Sequence, residues 1–114
     1  MEINKVITTE KLLQIMCVLQ TTLDINFLIE NFSNELQSII PHEYLNYKNI
    51  DDKINVTIGK EAKNKLVVDI NLNKRKLGKL TLSRKDEFGE SESEKIEYLT
   101  TLLQYPINNI LNYR

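Results

Sequence analysis

A single thiol and a single imidazole, Cys17 and His42, are all that this chain offers to nucleophilic or metal chemistry. Cys17 lies between Leu13 and Leu19 in an apolar run, with no neighbouring cation to favour the thiolate. Thiol reactivity follows the thiolate fraction, so Cys17 reads as packing. His42 follows Pro41 and precedes Glu43. Zinc sites draw on three or four ligands, and one histidine without a second His or Cys nearby reads as a turn or capping group. Serines and carboxylates are plentiful, but none stands with a histidine in a triad-like setting, which leaves acyl transfer without a base. Gly59, Gly78 and Gly89 are too far apart to cradle a phosphate, and Asp51-Asp52 reads as turn chemistry. The expectation is a protein that is not an enzyme, with no catalytic residue, no cofactor and no metal.

Charge is balanced, with 15 Lys plus Arg against 16 Asp plus Glu for a net charge of −1. The one basic cluster, Lys74-Arg75-Lys76 with Lys79, Arg84 and Lys85, has no interleaved aromatic residue on which a base would stack. It is followed at once by Asp86, Glu87, Glu90, Glu92 and Glu94, so nucleic acid is not an expected partner. A lone cysteine gives no intramolecular disulfide, and the first ten residues, MEINKVITTE, hold no apolar block of signal-peptide length. Unbroken apolar runs are far shorter than the roughly 20 residues that span a bilayer. These features predict a cytoplasmic protein without membrane insertion. A chain of 114 residues suits a single domain with one core, here 1–114.

The elements that must position these residues follow from periodicity. Thr8 or Thr9 can cap a first helix in which Leu12, Met16, Leu19 and Leu23 form a stripe at 4-3-4 spacing. Ile15 and Val18 widen that stripe, so the helix needs cover on more than one side. Asp24 caps a second helix reading to about Ile40, with Ile25, Leu28, Ile29, Phe32, Leu36, Ile39 and Ile40 on one face and Pro41 as its stop. The period then falls to two. Leu45 and Tyr47, then Ile54, Val56 and Ile58, then Leu66 to Leu72, then Leu80 and Leu82, predict four antiparallel strands with one face solvated. Linkers of about four to six residues suit hairpins. A capping box at Ser91 to Glu94 opens a final helix along Ile96, Leu99, Leu103, Ile107 and Ile110. Pro106 falls inside it and predicts a kink or short break, a candidate hinge. The predicted order is helix, helix, four strands, helix in an α+β fold.

The apolar girth of the first and last helices predicts a homodimer through a four-helix bundle. Its candidate interface is Leu12, Ile15, Met16, Val18, Leu19 and Leu23 with Leu99, Leu103 and Ile110.

Several segments carry a family resemblance. Leu12-Leu13-Gln14-Ile15-Met16, Leu23-Asp24 and the helix ending Ile39-Ile40-Pro41-His42 resemble the start of a GAF-like sensory domain. Leu77-Gly78-Lys79-Leu80-Thr81-Leu82-Ser83-Arg84 is similar to that family's last strand, and Phe88-Gly89-Glu90-Ser91-Glu92 to the start of its final helix. Residues from Tyr105-Pro106-Ile107 to Tyr113 resemble the helix that precedes a GGDEF diguanylate cyclase domain in bacterial signalling proteins. The resemblance implies an antiparallel sheet with the first and last helices packed together on one side. It also implies a sensory, regulatory dimerisation module, the N-terminal part of a longer signalling protein, relaying a signal to an attached output domain in cyclic di-GMP signalling. The short linkers depart from ligand-binding members, which roof a pocket with long insertions, so a small ligand or none is expected. A GAF-type methionine sulfoxide reductase would need reactive cysteines in a pocket, which Cys17 does not supply. The alternative is a stand-alone protein-interaction adaptor.

Overall fold

A computed structural model of the protein describes residues 24–112, and the predicted first helix, with Leu12, Ile15, Met16, Cys17, Val18, Leu19 and Leu23, lies outside them. The described elements run α1 (Ile25–Leu36), β1 (Tyr44–Asn49), β2 (Ile54–Gly59), β3 (Asn64–Leu72), β4 (Arg75–Arg84), α2 (Glu90–Thr100), a 3-10 turn (Thr101–Leu103) and α3 (Gln104–Asn112). The fold is α+β around one four-stranded antiparallel sheet.

Asp24 caps α1, its carboxylate accepting from the backbone N–H of Asn26 at 2.9 Å and of Phe27 at 3.4 Å. The helix buries Leu28, Ile29, Phe32 and Leu36. It ends four residues before the expected Ile40. The N–H groups of Ile39 and Ile40 both turn back to the Leu36 carbonyl, at 2.9 and 2.7 Å, and the chain reaches Pro41 in an extended path.

The strands form two hairpins, joined along β1 and β4 to give the order β2-β1-β4-β3. Lys53 at φ +56° and Asn73 at φ +57° supply the left-handed residues of the hairpin turns. The inward rows are Ile58-Leu45-Leu82-Leu66 and Val56-Tyr47-Leu80-Val68. The outward row Asn55-Lys48-Lys79-Asp69 is polar, as the alternation predicts, while the next, Thr57-Asn46-Thr81-Val67, ends in an exposed valine.

One register shift breaks the pattern. Ile70 pairs with Gly78 but Asn71 pairs with Lys76, so β4 carries an extra residue at Leu77. Leu77 is out of phase with Leu80 and Leu82, yet all three are fully buried. The bulge lets both phases point inward. Gly78, at φ +141°, makes the bend; a Cβ there would sit 2.6 Å from the Tyr47 ring and 2.8 Å from the Lys48 carbonyl oxygen.

The final helical run begins earlier than the Ser91 capping box suggests and is broken once. Gly89 is the N-cap, and Glu92 reaches back to its N–H at 2.8 Å. The break lies at Thr101–Leu103, one turn ahead of Pro106. There Thr100 and Thr101 donate their hydroxyls to the carbonyls of Glu97 and Tyr98, at 2.9 and 2.5 Å. Pro106 is the third residue of α3, within its first turn, where a proline is tolerated. Ile96, Leu99, Leu103, Ile107, Ile110 and Leu111 are all buried and complete the core. Each fully buried leucine or isoleucine contributes about 1.5–3 kcal/mol.

Candidate functional site

His42 and Arg84 are engaged in holding the fold together. His42 is buried where α1 hands over to β1. Its Nδ1 lies 2.8 Å from the Ile40 carbonyl oxygen and its Nε2 lies 2.8 Å from the Ser33 hydroxyl. A carbonyl can only accept, so Nδ1 carries the proton and Nε2 accepts from Ser33. Gln37 clamps the His42 backbone, taking its N–H at 3.1 Å and donating to its carbonyl at 2.9 Å. Burial holds the imidazole below its ordinary pKa; the Ile40 hydrogen bond opposes this, and the Arg84 charge adds to it. His42 is therefore a neutral strut between helix and strand.

Arg84 ends β4 and ties three segments together. Its guanidinium makes a two-point contact with Glu92, Nη1 to Oε2 at 2.8 Å and Nη2 to Oε1 at 2.6 Å. The same group donates to the carbonyls of Pro41 at 2.9 Å and Glu87 at 2.8 Å, and stacks 4.2 Å from the centre of the Phe88 ring. Hydrogen bonding from Arg84 holds the Glu92 carboxyl below the usual glutamate range. The basic cluster thus splits by role. Arg75, itself exposed, donates from Nη1 to Asn108 at 2.7 Å and Asn112 at 3.0 Å, which fastens the β3–β4 hairpin to α3.

The carbonyl freed by the bulge at Leu77 is met by two donors. Tyr47 donates its hydroxyl and Asn49 its amide, the latter at 3.0 Å. Asn49 also anchors the β1–β2 turn through Asp52. The turn role of Asp52 was legible locally, but the two donors to the Leu77 carbonyl were not, because they lie 30 and 28 residues from it.

On the outward face of the sheet, Lys48, Lys76 and Lys79 border a shallow hollow of about 690 Å³ with Asp69 and Asn71. No helix covers it among the described residues. Among the described residues, no group of three or more His, Cys, Asp or Glu is arranged to hold a metal, and no helix is long and apolar enough to cross a membrane.

The predicted interface fares unevenly. Leu99, Leu103 and Ile110 are buried in the protein's own core, at 0%, 0% and 3% exposure, and so do not present an apolar face to a second copy. The apolar residues that do remain outside on these helices are Tyr98 at 51% and Tyr105 at 65%. On the sheet, Val67 is 52% exposed. Helical spacing marked these residues as apolar, but only packing decided that they join the protein's own core.

In comparison with known proteins, the chain matches no family model, no curated protein and no solved structure. Its class rests on the fold itself.

Proposed function

We propose that this chain is a non-catalytic regulatory module that dimerises and relays a signal to an attached output domain. The observation that supports it is the contrast between polar and apolar groups. His42, Arg84, Glu92, Tyr47 and Asn49 are spent on holding elements together, while Val67, Tyr98 and Tyr105 remain half exposed or more. Tyrosines such as Tyr98 and Tyr105 are among the residues enriched at protein contact sites. The GAF-like resemblance supplies the form of the relay: a sensory domain ahead of a diguanylate cyclase, with the break at Thr101–Leu103 and Pro106 lying on the helical path toward the output. Leu99, Leu103 and Ile110 are not part of the proposed contact.

Sedimentation of the purified chain from low to high micromolar concentration tests the reading. A dimer is expected. A folded monomer throughout would overturn dimerisation and leave the stand-alone adaptor as the better description.

A further inference from the structure

The sheet has two edges, and they are finished differently. On β2, Ile54 and Val56 are buried, so the inward side of that edge is covered. On β3 the inward residues Leu66 and Val68 are only partly buried, although their direct neighbours on β4, Leu82 and Leu80, are fully so. Among the described residues no strand pairs with the outer edge of β3. This edge runs nine residues without a proline, and the bulge of the hairpin belongs to β4. Such an edge invites another strand unless charge or shape prevents it.

Charge here does the opposite. On the outward face of β3 the sequence Lys65, Val67, Asp69 places opposite charges two residues either side of an exposed valine. A two-fold axis normal to the sheet keeps inward faces inward, so residues of the same parity must face one another and the axis must pass through a residue. Centred on Val67, antiparallel pairing sets Lys65 of each copy against Asp69 of the other and Val67 against itself. On the inward face it sets Leu66 against Val68. Shifting the centre to Leu66 sets Lys65 against Val67, and shifting it to Val68 sets Asp69 against Val67; both lose the two ion pairs. Opposite charges directly across strands stabilise pairing, and like charges oppose it.

We infer that β3 is the dimer edge: two copies join antiparallel about Val67 into a continuous eight-stranded sheet. The inference rests on the dimerising reading and names its surface. The occupant is a second copy because the edge is complementary to itself in charge. Lys65 already contacts Glu61 within its own chain, both side chains being half exposed, so its ammonium remains open to a second carboxylate.

The test is a charge swap read by sedimentation, with circular dichroism melts confirming that each variant folds. Lys65→Glu or Asp69→Lys alone sets like charges together at both ends of the pairing. Each should weaken dimerisation by roughly ten-fold or more. The combined variant restores opposite pairing with reversed polarity and should return to within about three-fold of the unmodified Kd. Glu61→Gln, which removes only the intrachain partner, should leave the Kd unchanged. If either single swap fails to fold, Val67→Lys places two ammonium groups at the axis and should abolish the dimer. A dimer indifferent to these changes but lost in Tyr98→Ser/Tyr105→Ser would overturn the β3 edge and leave the dimerising module standing. A chain that is monomeric from the outset would overturn the dimerising reading itself.

Discussion

Replacing Arg84 with methionine keeps most of the side-chain volume and removes the charge that joins β4, the segment before β1 and the start of α2. Two short hydrogen bonds to Glu92 go, as do those to the carbonyls of Pro41 and Glu87 and the stacking on Phe88. The Arg84 and Glu92 side chains are 15% and 21% exposed, which puts the pair between a solvated surface bridge and a buried one. Surface pairs contribute about 0–1 kcal/mol, whereas breaking a buried pair costs about 3–5 kcal/mol. A loss of about 3 kcal/mol is therefore expected for Arg84→Met, a fall in Tm of about 12 °C. Glu92→Gln can still accept from Arg84 and from Gly89, so its cost should be about 1.5 kcal/mol. Once Arg84 is gone the Glu92 change should cost nothing further. A double-mutant cycle by urea titration should accordingly return a coupling of about 1.5 kcal/mol. pH offers an independent check. The folded-state pKa of Glu92 is depressed, so the pair's contribution is present above the ordinary value near 4.5 and lost as pH falls through the lower folded value. The gap between the unmodified protein and Arg84→Met should narrow in that range. Additive single changes, with a coupling below about 0.5 kcal/mol, would refute the view that these two side chains act as one tie.

Gly78→Ala forces a Cβ against the Tyr47 ring and the Lys48 carbonyl oxygen at a left-handed φ, and should cost at least about 3 kcal/mol by chemical denaturation. A loss under 1 kcal/mol would mean that the bulge can relax at little cost. His42 is held neutral by burial, so the unfolded chain binds its proton first as pH falls below about 6.5, and stability should fall from there toward the lower folded pKa. In His42→Gln that slope should disappear from pH-dependent melts. Pro106→Ala is expected to leave Tm unchanged or lower, because the proline stands in the first turn of α3; a clear rise would show that the ring itself breaks the helix. Cyclic AMP, cyclic GMP and cyclic di-GMP should produce no thermal shift, since no helix roofs the hollow beside Lys48 and Lys79 among the described residues; a micromolar response to any of them would contradict this.

What the sequence determined by itself is whatever depends on neighbours within a turn or two. The Asp24 cap, the α1 face from Leu28 to Leu36, the alternation of all four strands and the helical spacing after Glu90 are local patterns, and each was legible. The predicted first helix rests on the same kind of local pattern and lies outside the described residues. Tertiary structure decided everything that needs two distant segments at once. Leu77 looks out of phase with Leu80 until β3 pairs with β4 and a bulge absorbs the extra residue. The carbonyl so released finds Tyr47 and Asn49, and Arg84 finds Glu92 in the first turn of a helix capped by Gly89, not Ser91. Leu99, Leu103 and Ile110 carry the same helical signature whether a core or a partner takes them up, and here they lie in the protein's own core. Periodicity reports that a face is apolar; only the path of the whole chain determines what lies against it, because burial depends on what packs there and not on the element's own spacing.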